Sequence, residues 1–173
     1  LNNNGSLYWA TSQNNSDYGV SSAAGVVVPG RWYHVAGVVD RGAGKLRLYI
    51  DGVEAGVVDL SPNPAPGSDA TLHLGGGVEG WSNKFRGEIA DVRLWSTVRT
   101  AQEIADNGNT RLAGNESGLV AYLRFDGISG RTVADASGRG NVGQISNAWS
   151  ATPGVVAGTI TFGQQDYYRF TLD

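Results

Sequence analysis

The chain contains no cysteine and no methionine. Without thiols there is no disulfide, no thiolate nucleophile and no zinc–thiolate centre. The loss of both oxidisable side chains fits a bacterial exported protein, and it fits chance composition equally. Excess positive charge is also missing: 13 basic residues stand against 16 acidic ones, a net charge of −3. A nucleic-acid footprint needs clustered positive charge. Nucleic acid and anionic membrane surfaces are therefore set aside as partners. No apolar run approaches the roughly 18 residues of a spanning helix, and the opening LNNNGSLYWA carries no signal-peptide pattern. It reads as the interior of a domain, and the absence of an initiator methionine points to processing or truncation.

Glycine is plentiful instead, at 26 of 173 residues, beside valine, threonine, tyrosine and tryptophan. Hydrophobic residues make up 40%. This is one domain, or one domain plus a fragment, with enough chain to bury a core and with short strands joined by tight turns. Residues 32–39 are apolar on both faces and predict a strand covered on both sides. Residues 45–50 alternate, with Leu46, Leu48 and Ile50 on one face and Lys45, Arg47 and Tyr49 on a solvent-leaning face. Asp51-Gly52 is a two-residue hairpin turn, and residues 53–60 return as the partner strand.

Three of the five prolines fall within residues 61–69, a loop. Further strands are predicted in TLHLGGG, over residues 87–96 with Ala90, Val92 and Leu94 on one face, and over 118–126. Two more flank Gly163. The asparagine- and serine-rich opening is hairpin and turn chemistry. NNS and NES also match the glycosylation acceptor pattern, to which no meaning is attached. Thr100 with Glu103 forms a capping box, so a helix of about two turns runs over 101–107 and stops at Gly108. Many short strands, one short helix and no βαβ spacing predict an all-β antiparallel sandwich, a jelly roll.

Three segments, WYHVAGVVDRGAGKLRLYIDGVEAG, FRGEIADVRLWSTVRTAQEIADN and GLVAYLRFDGISGRTVADASGRGNVGQI, resemble the laminin-G-like, concanavalin A-like jelly rolls of bacterial extracellular proteins. The likeness spans residues 30–145. It implies a jelly roll over 1–150 that lacks its usual opening strands. Residues 151–173 would then complete the sandwich or begin a following β-module. A fragment, a permuted domain and strands lent by a neighbouring copy all account for the missing opening.

Glycine-rich loops with aspartate and asparagine suit calcium, a hard cation bound by oxygen. Asp135 and Asn141 lie in ADASGRGN, Asp126 precedes GISG, and related folds place a strand carboxylate such as Asp91 near these loops. Turn capping by the same aspartates is the competing reading. For a sugar, an aromatic side chain in a loop can stack on a pyranose face. Trp81 is the foremost candidate, with Glu79, Asn83 and Lys84 for hydroxyls; Trp9, Tyr8 and Tyr18 come second. Trp32 and Trp95, both in predicted strands, are assigned to the core, and His34 to a structural role.

Catalysis finds little support. Some enzymes of this general fold pair two carboxylates two residues apart on one strand face, but the same-face neighbour of Glu88 is Ala90. His73 is read as solvated, no serine sits in a nucleophile elbow, and Gly75 to Gly77 lack the strand-to-helix setting of a phosphate loop. The expectation is a non-catalytic extracellular module that binds carbohydrate or a partner protein in adhesion, with calcium-stabilised loops. The rivals are a surface-filament subunit that self-associates by strand exchange, and an accessory domain of a large secreted hydrolase.

Overall fold

The computed structural model describes residues 4–13, 16–60, 73–74, 87–152, 155–162 and 170–172. Within them the chain is a β-sandwich of jelly-roll type with one helix. The strands are β1 (Tyr8–Gln13), β2 (Ser16–Ser21), β3 (Val35–Asp40), β4 (Lys45–Ile50), β5 (Val53–Asp59), β6 (His73–Leu74) and β7 (Val92–Trp95). Helix α1 (Ala101–Asn107) follows, then β8 (Leu119–Ser129), β9 (Thr132–Asp135), β10 (Gly143–Thr152), β11 (Val155–Phe162) and β12 (Phe170–Leu172). β1 and β2 form a hairpin, and the other strands form one sheet in the order β5-β4-β3-β12-β7-β8-β9-β10-β11-β6. Every pairing is antiparallel.

The Asp51-Gly52 turn is as the sequence predicts. Ile50 pairs with Val53, and both turn residues have positive φ, 51° and 79°. This is the backbone that matches the twist of a hairpin. Gly52 is constrained twice, because a Cβ there would come within 2.8 Å of the Ala105 Cβ on α1. Leu46 and Leu48 are buried together with Val20 of β2, and Trp9 and Tyr18 pack onto the same cluster. The β1–β2 hairpin thus covers one face of the meander. Each leucine so buried contributes about 1.5–3 kcal/mol. On the other face the outcome differs from the expected solvent-leaning surface: Tyr49 is buried with Ala36, Val38 and Ile104 of α1. The helix covers that face.

The other half of the sheet folds over on itself. Leu74 on the terminal strand β6 shares a core with Val92, Leu94, Leu123, Phe125, Val133 and Ile145, although β6 and β7 stand far apart in the strand order. On the outer face of β7 and β8, Trp95 packs with Leu112, Leu119 and Tyr122.

Three predicted boundaries shift. The first sheet strand starts at Val35 rather than residue 32. Its ladder pairs Val35 with Ile50, where β4 ends, so residues 32–34 have no strand partner there. Trp32 is consequently 53% exposed and not part of the core, whereas Trp95 is buried as expected. The strand expected over 87–96 is only four residues long, because Asp91 takes a φ of 56° and turns the chain. β8 continues to Ser129 through an irregularity at which buried Phe125 holds a φ of 58°. The helix has its predicted capping box, but Gly108 lies in the right-handed region. Its glycine is required by closeness: a Cβ would meet His34 Nδ1 at 2.9 Å.

Candidate functional site

The loop before β3 is held from several sides. Gly30 turns it with a φ of 82°. Val28 donates its N–H to the Tyr33 hydroxyl at 3.0 Å. The Arg31 guanidinium lies over the Tyr33 ring, 4.5 Å from its centroid, and donates to Asp51 Oδ2 at 2.6 Å. The other Asp51 oxygen accepts from the His34 N–H at 2.9 Å, while the Asp51 N–H donates to the His34 carbonyl at 2.8 Å. Residues 28, 31, 33 and 34 are thus tied down. Trp32, between them, is turned to solvent, as are the side chains of Val28 and Arg31. The sequence pattern placed it in the core because its apolar neighbours continue the run of β3.

Trp81, Glu79, Asn83 and Lys84 lie outside the described residues. Of the secondary aromatics, Trp9 lies against the backbone of Gly37, where a Cβ would come within 2.6 Å of its ring, and Tyr18 packs onto the core. Tyr8 is 55% exposed and its ring crosses Gly19 on the outer face of the hairpin.

The four calcium candidates fall in three settings. Asp91 accepts from Arg93 Nε at 2.9 Å and from the Tyr122 hydroxyl at 3.2 Å. Burial, and then the Asp91 charge, push the Tyr122 phenol above its ordinary value, so it stays protonated as a donor. Asp126 pairs with Arg111 at 2.6 Å and Arg124 at 3.3 Å. Asp135 and Asn141 share one turn. Asp135 Oδ1 accepts from the N–H groups of Tyr122 and Ser137, and Oδ2 accepts from the Ser137 hydroxyl and the Asn141 N–H. The Asn141 amide donates to the Val120 carbonyl. Among the described residues no three histidine, aspartate or glutamate side chains gather at metal-binding distance.

A small cavity between α1 and β7 is lined by His34, Arg93, Trp95, Arg99, Glu103 and Asn107. Its volume of about 10 Å³ holds roughly one water molecule. A sugar or other substrate does not fit there. His34, expected within a strand, sits just before β3 against this cavity; the side chain of His73 lies outside the described residues. No helix of the described residues is long and apolar enough to cross a membrane.

A family model described as the concanavalin A-like lectin/glucanases superfamily, Laminin_G_3, matches residues 1–105. The chain belongs to this family. The laminin-G match takes in the β1–β2 hairpin, the β3–β5 meander, β7 and most of α1. It bears out the resemblance carried by WYHVAGVVDRGAGKLRLYIDGVEAG. A solved structure of similar fold, described as a "putative carbohydrate binding protein" from Bacteroides ovatus, is 23% identical with a TM-score of 0.53. The likeness covers 91% of this chain and 41% of that one, so the chain spans well under half of its neighbour's length. Among curated proteins no relative matches the chain.

Proposed function

We propose that this laminin-G-like chain is a non-catalytic extracellular module that binds carbohydrate. The observation that carries the reading is membership of a lectin and glucanase superfamily in a chain in which most of the described carboxylates have structural partners. Asp51, Glu54, Asp59, Asp91 and Asp126 are paired with arginine or lysine. Glu116 caps the N–H groups of Ala113 and Gly114. Glu103 lies below its ordinary pKa, the direction of a cap and opposite to that of a general acid. The neighbour's carbohydrate-binding description supports the same reading.

The test is a glycan array probed with the whole chain, followed by calorimetry on the hits. A monodisperse protein that binds glycans without releasing reducing ends is the expected result. High-mass polymer that survives dilution would favour the filament subunit. Hydrolysis of the bound glycan would end the non-catalytic reading.

For the loops we propose side-chain capping in place of calcium. The four hydrogen bonds at Asp135 support it, since both oxygens already have partners. Calcium at Asp135 and Asn141 is the reading it competes with, favoured by the oxygen-rich composition of that loop.

A further inference from the structure

We propose that Trp32 is the stacking platform of a binding site for a neutral pyranose ring, with the Arg31–Asp51 pair as its polar rim; this rests on the carbohydrate-binding function above and locates it. Tryptophan is enriched at interfaces, because its apolar body and single N–H suit a surface that is partly wet. Trp32 keeps 53% of its surface exposed, and among the described residues its indole N–H makes no hydrogen bond. Its chain neighbours on both sides are tied to Tyr33 and Asp51, which fixes the backbone that carries it. With the backbone fixed, contact with a ligand need order only the two χ angles of the indole, a small cost for an anchor.

The surroundings choose the ligand class. The loop offers an indole face with its own N–H donor. Beside it in the chain stands an ion pair whose side chains remain 60% and 38% exposed at Arg31 and Asp51. Guanidinium donors and carboxylate lone pairs beyond those used in the pair suit hydroxyl groups. The pair is internally neutral, so it offers no net charge to a uronic acid, a phosphate or a cationic peptide. Val28 is the other large hydrophobic side chain exposed on this loop, too little apolar surface for a helix or a protein core to settle on. A flat ring with an apolar face and a hydroxylated edge fits.

The experiment is calorimetry of the whole chain against neutral oligosaccharides and, separately, uronic-acid oligosaccharides. The variants are Trp32→Ala, Trp32→Phe and Trp81→Ala. The expected result is neutral-glycan binding that Trp32→Ala weakens about tenfold or more, that Trp32→Phe largely retains, and melting curves that superimpose. Should Trp32→Ala misfold, a Trp32→Phe variant as weak as one with no ring would overturn the stacking role. If glycans bind and Trp32→Ala leaves affinity unchanged, the site is elsewhere while the carbohydrate reading stands. Binding of uronic-acid oligosaccharides alone overturns the neutral-ring claim. If neither class binds the wild type, the carbohydrate reading falls and takes this site with it.

Discussion

The Arg93 guanidinium donates to Asp91 at 2.9 Å and, from its other nitrogens, to the carbonyls of Asn107 and Thr110, both at 2.8 Å. Arg93 is only 2% exposed. One side chain on β7 therefore satisfies carbonyls at and just beyond the end of α1 and neutralises a carboxylate that also holds Tyr122. A planar fork with five donors does this; a lysine ammonium cannot reach three separated acceptors in one plane. Arg93→Met should leave Asp91 and two carbonyls without their partner. Asp91 keeps 35% of its side chain exposed, so the loss should fall short of that for a fully buried pair and come mainly from the unmatched carbonyls, about 1–3 kcal/mol. Urea unfolding should show that loss, and Arg93→Lys should recover only part of it. A loss under roughly 1 kcal/mol, the range of surface pairs, would mean that the Arg93 network is solvated.

Glycine substitutions should separate closeness from backbone strain. At Gly37 a Cβ would come within 2.6 Å of the Trp9 ring, with no positive φ involved. At Gly138 the φ is 71° and nothing lies within 4 Å. Gly138→Ala should therefore cost only the left-handed strain, about 1–2 kcal/mol. Gly37→Ala must push the β1–β2 hairpin off the meander and should expose Val20, Leu46 and Leu48 to solvent. Faster amide exchange in the hairpin for Gly37→Ala, and not for Gly138→Ala, checks the difference.

Much of this was legible in the sequence. Alternation over residues 45–50 and the Asp51-Gly52 dipeptide act over a few residues, so hairpin β4–β5 could be read directly. The Thr100–Glu103 box likewise acts within one helical turn. What escaped reading depends on distant partners. Residues 32–34 continue an apolar run, yet their strand has no neighbour beyond Ile50. Tyr49 alternates outward, yet a helix more than fifty residues later covers it. The left-handed backbones of Asp91 and Phe125 carry no glycine signal, because tertiary contacts impose them. The same limit applies to the site. Composition singled out Asp135 and Asn141 as a pair in one turn, but gave no sign that Arg93 reaches the carbonyls of Asn107 and Thr110 or that Trp32 stands clear of the core.

Acid should weaken the helix cap through Glu103. The Thr100 N–H donates to its carboxylate at 2.8 Å and holds its pKa below the ordinary value, with smaller help from the Thr100 hydroxyl and Arg99. A folded pKa below the unfolded one stabilises the protein at pH values above the unfolded pKa. That contribution is lost as pH falls through the folded pKa. Wild type and Glu103→Gln should therefore differ most in melting temperature at neutral pH, and the gap should close on acidification below about pH 4. A gap that stays constant over this range would remove the carboxylate charge from the cap.

The loop at Asp135 gives opposite outcomes for its two readings. If the carboxylate is a cap, wild-type melting should be the same in chelator and in added calcium. Asp135→Asn then replaces one oxygen with an amide that opposes the Asn141 N–H and cannot accept from it. Leaving such a buried donor unmatched costs about 1–3 kcal/mol, and the variant should be destabilised equally in both buffers. If calcium were bound, chelator would lower wild-type stability by roughly 2.7 kcal/mol relative to a hundredfold excess of the ion over its Kd. Asp135→Asn would then abolish the difference between buffers. Four donors already converge on the two oxygens of this carboxylate. A cation could enter only by displacing some of them, which would cost the turn its present hydrogen bonds. The expected result is thus a chelator-insensitive wild type, and a clear chelator-dependent drop would sink the cap.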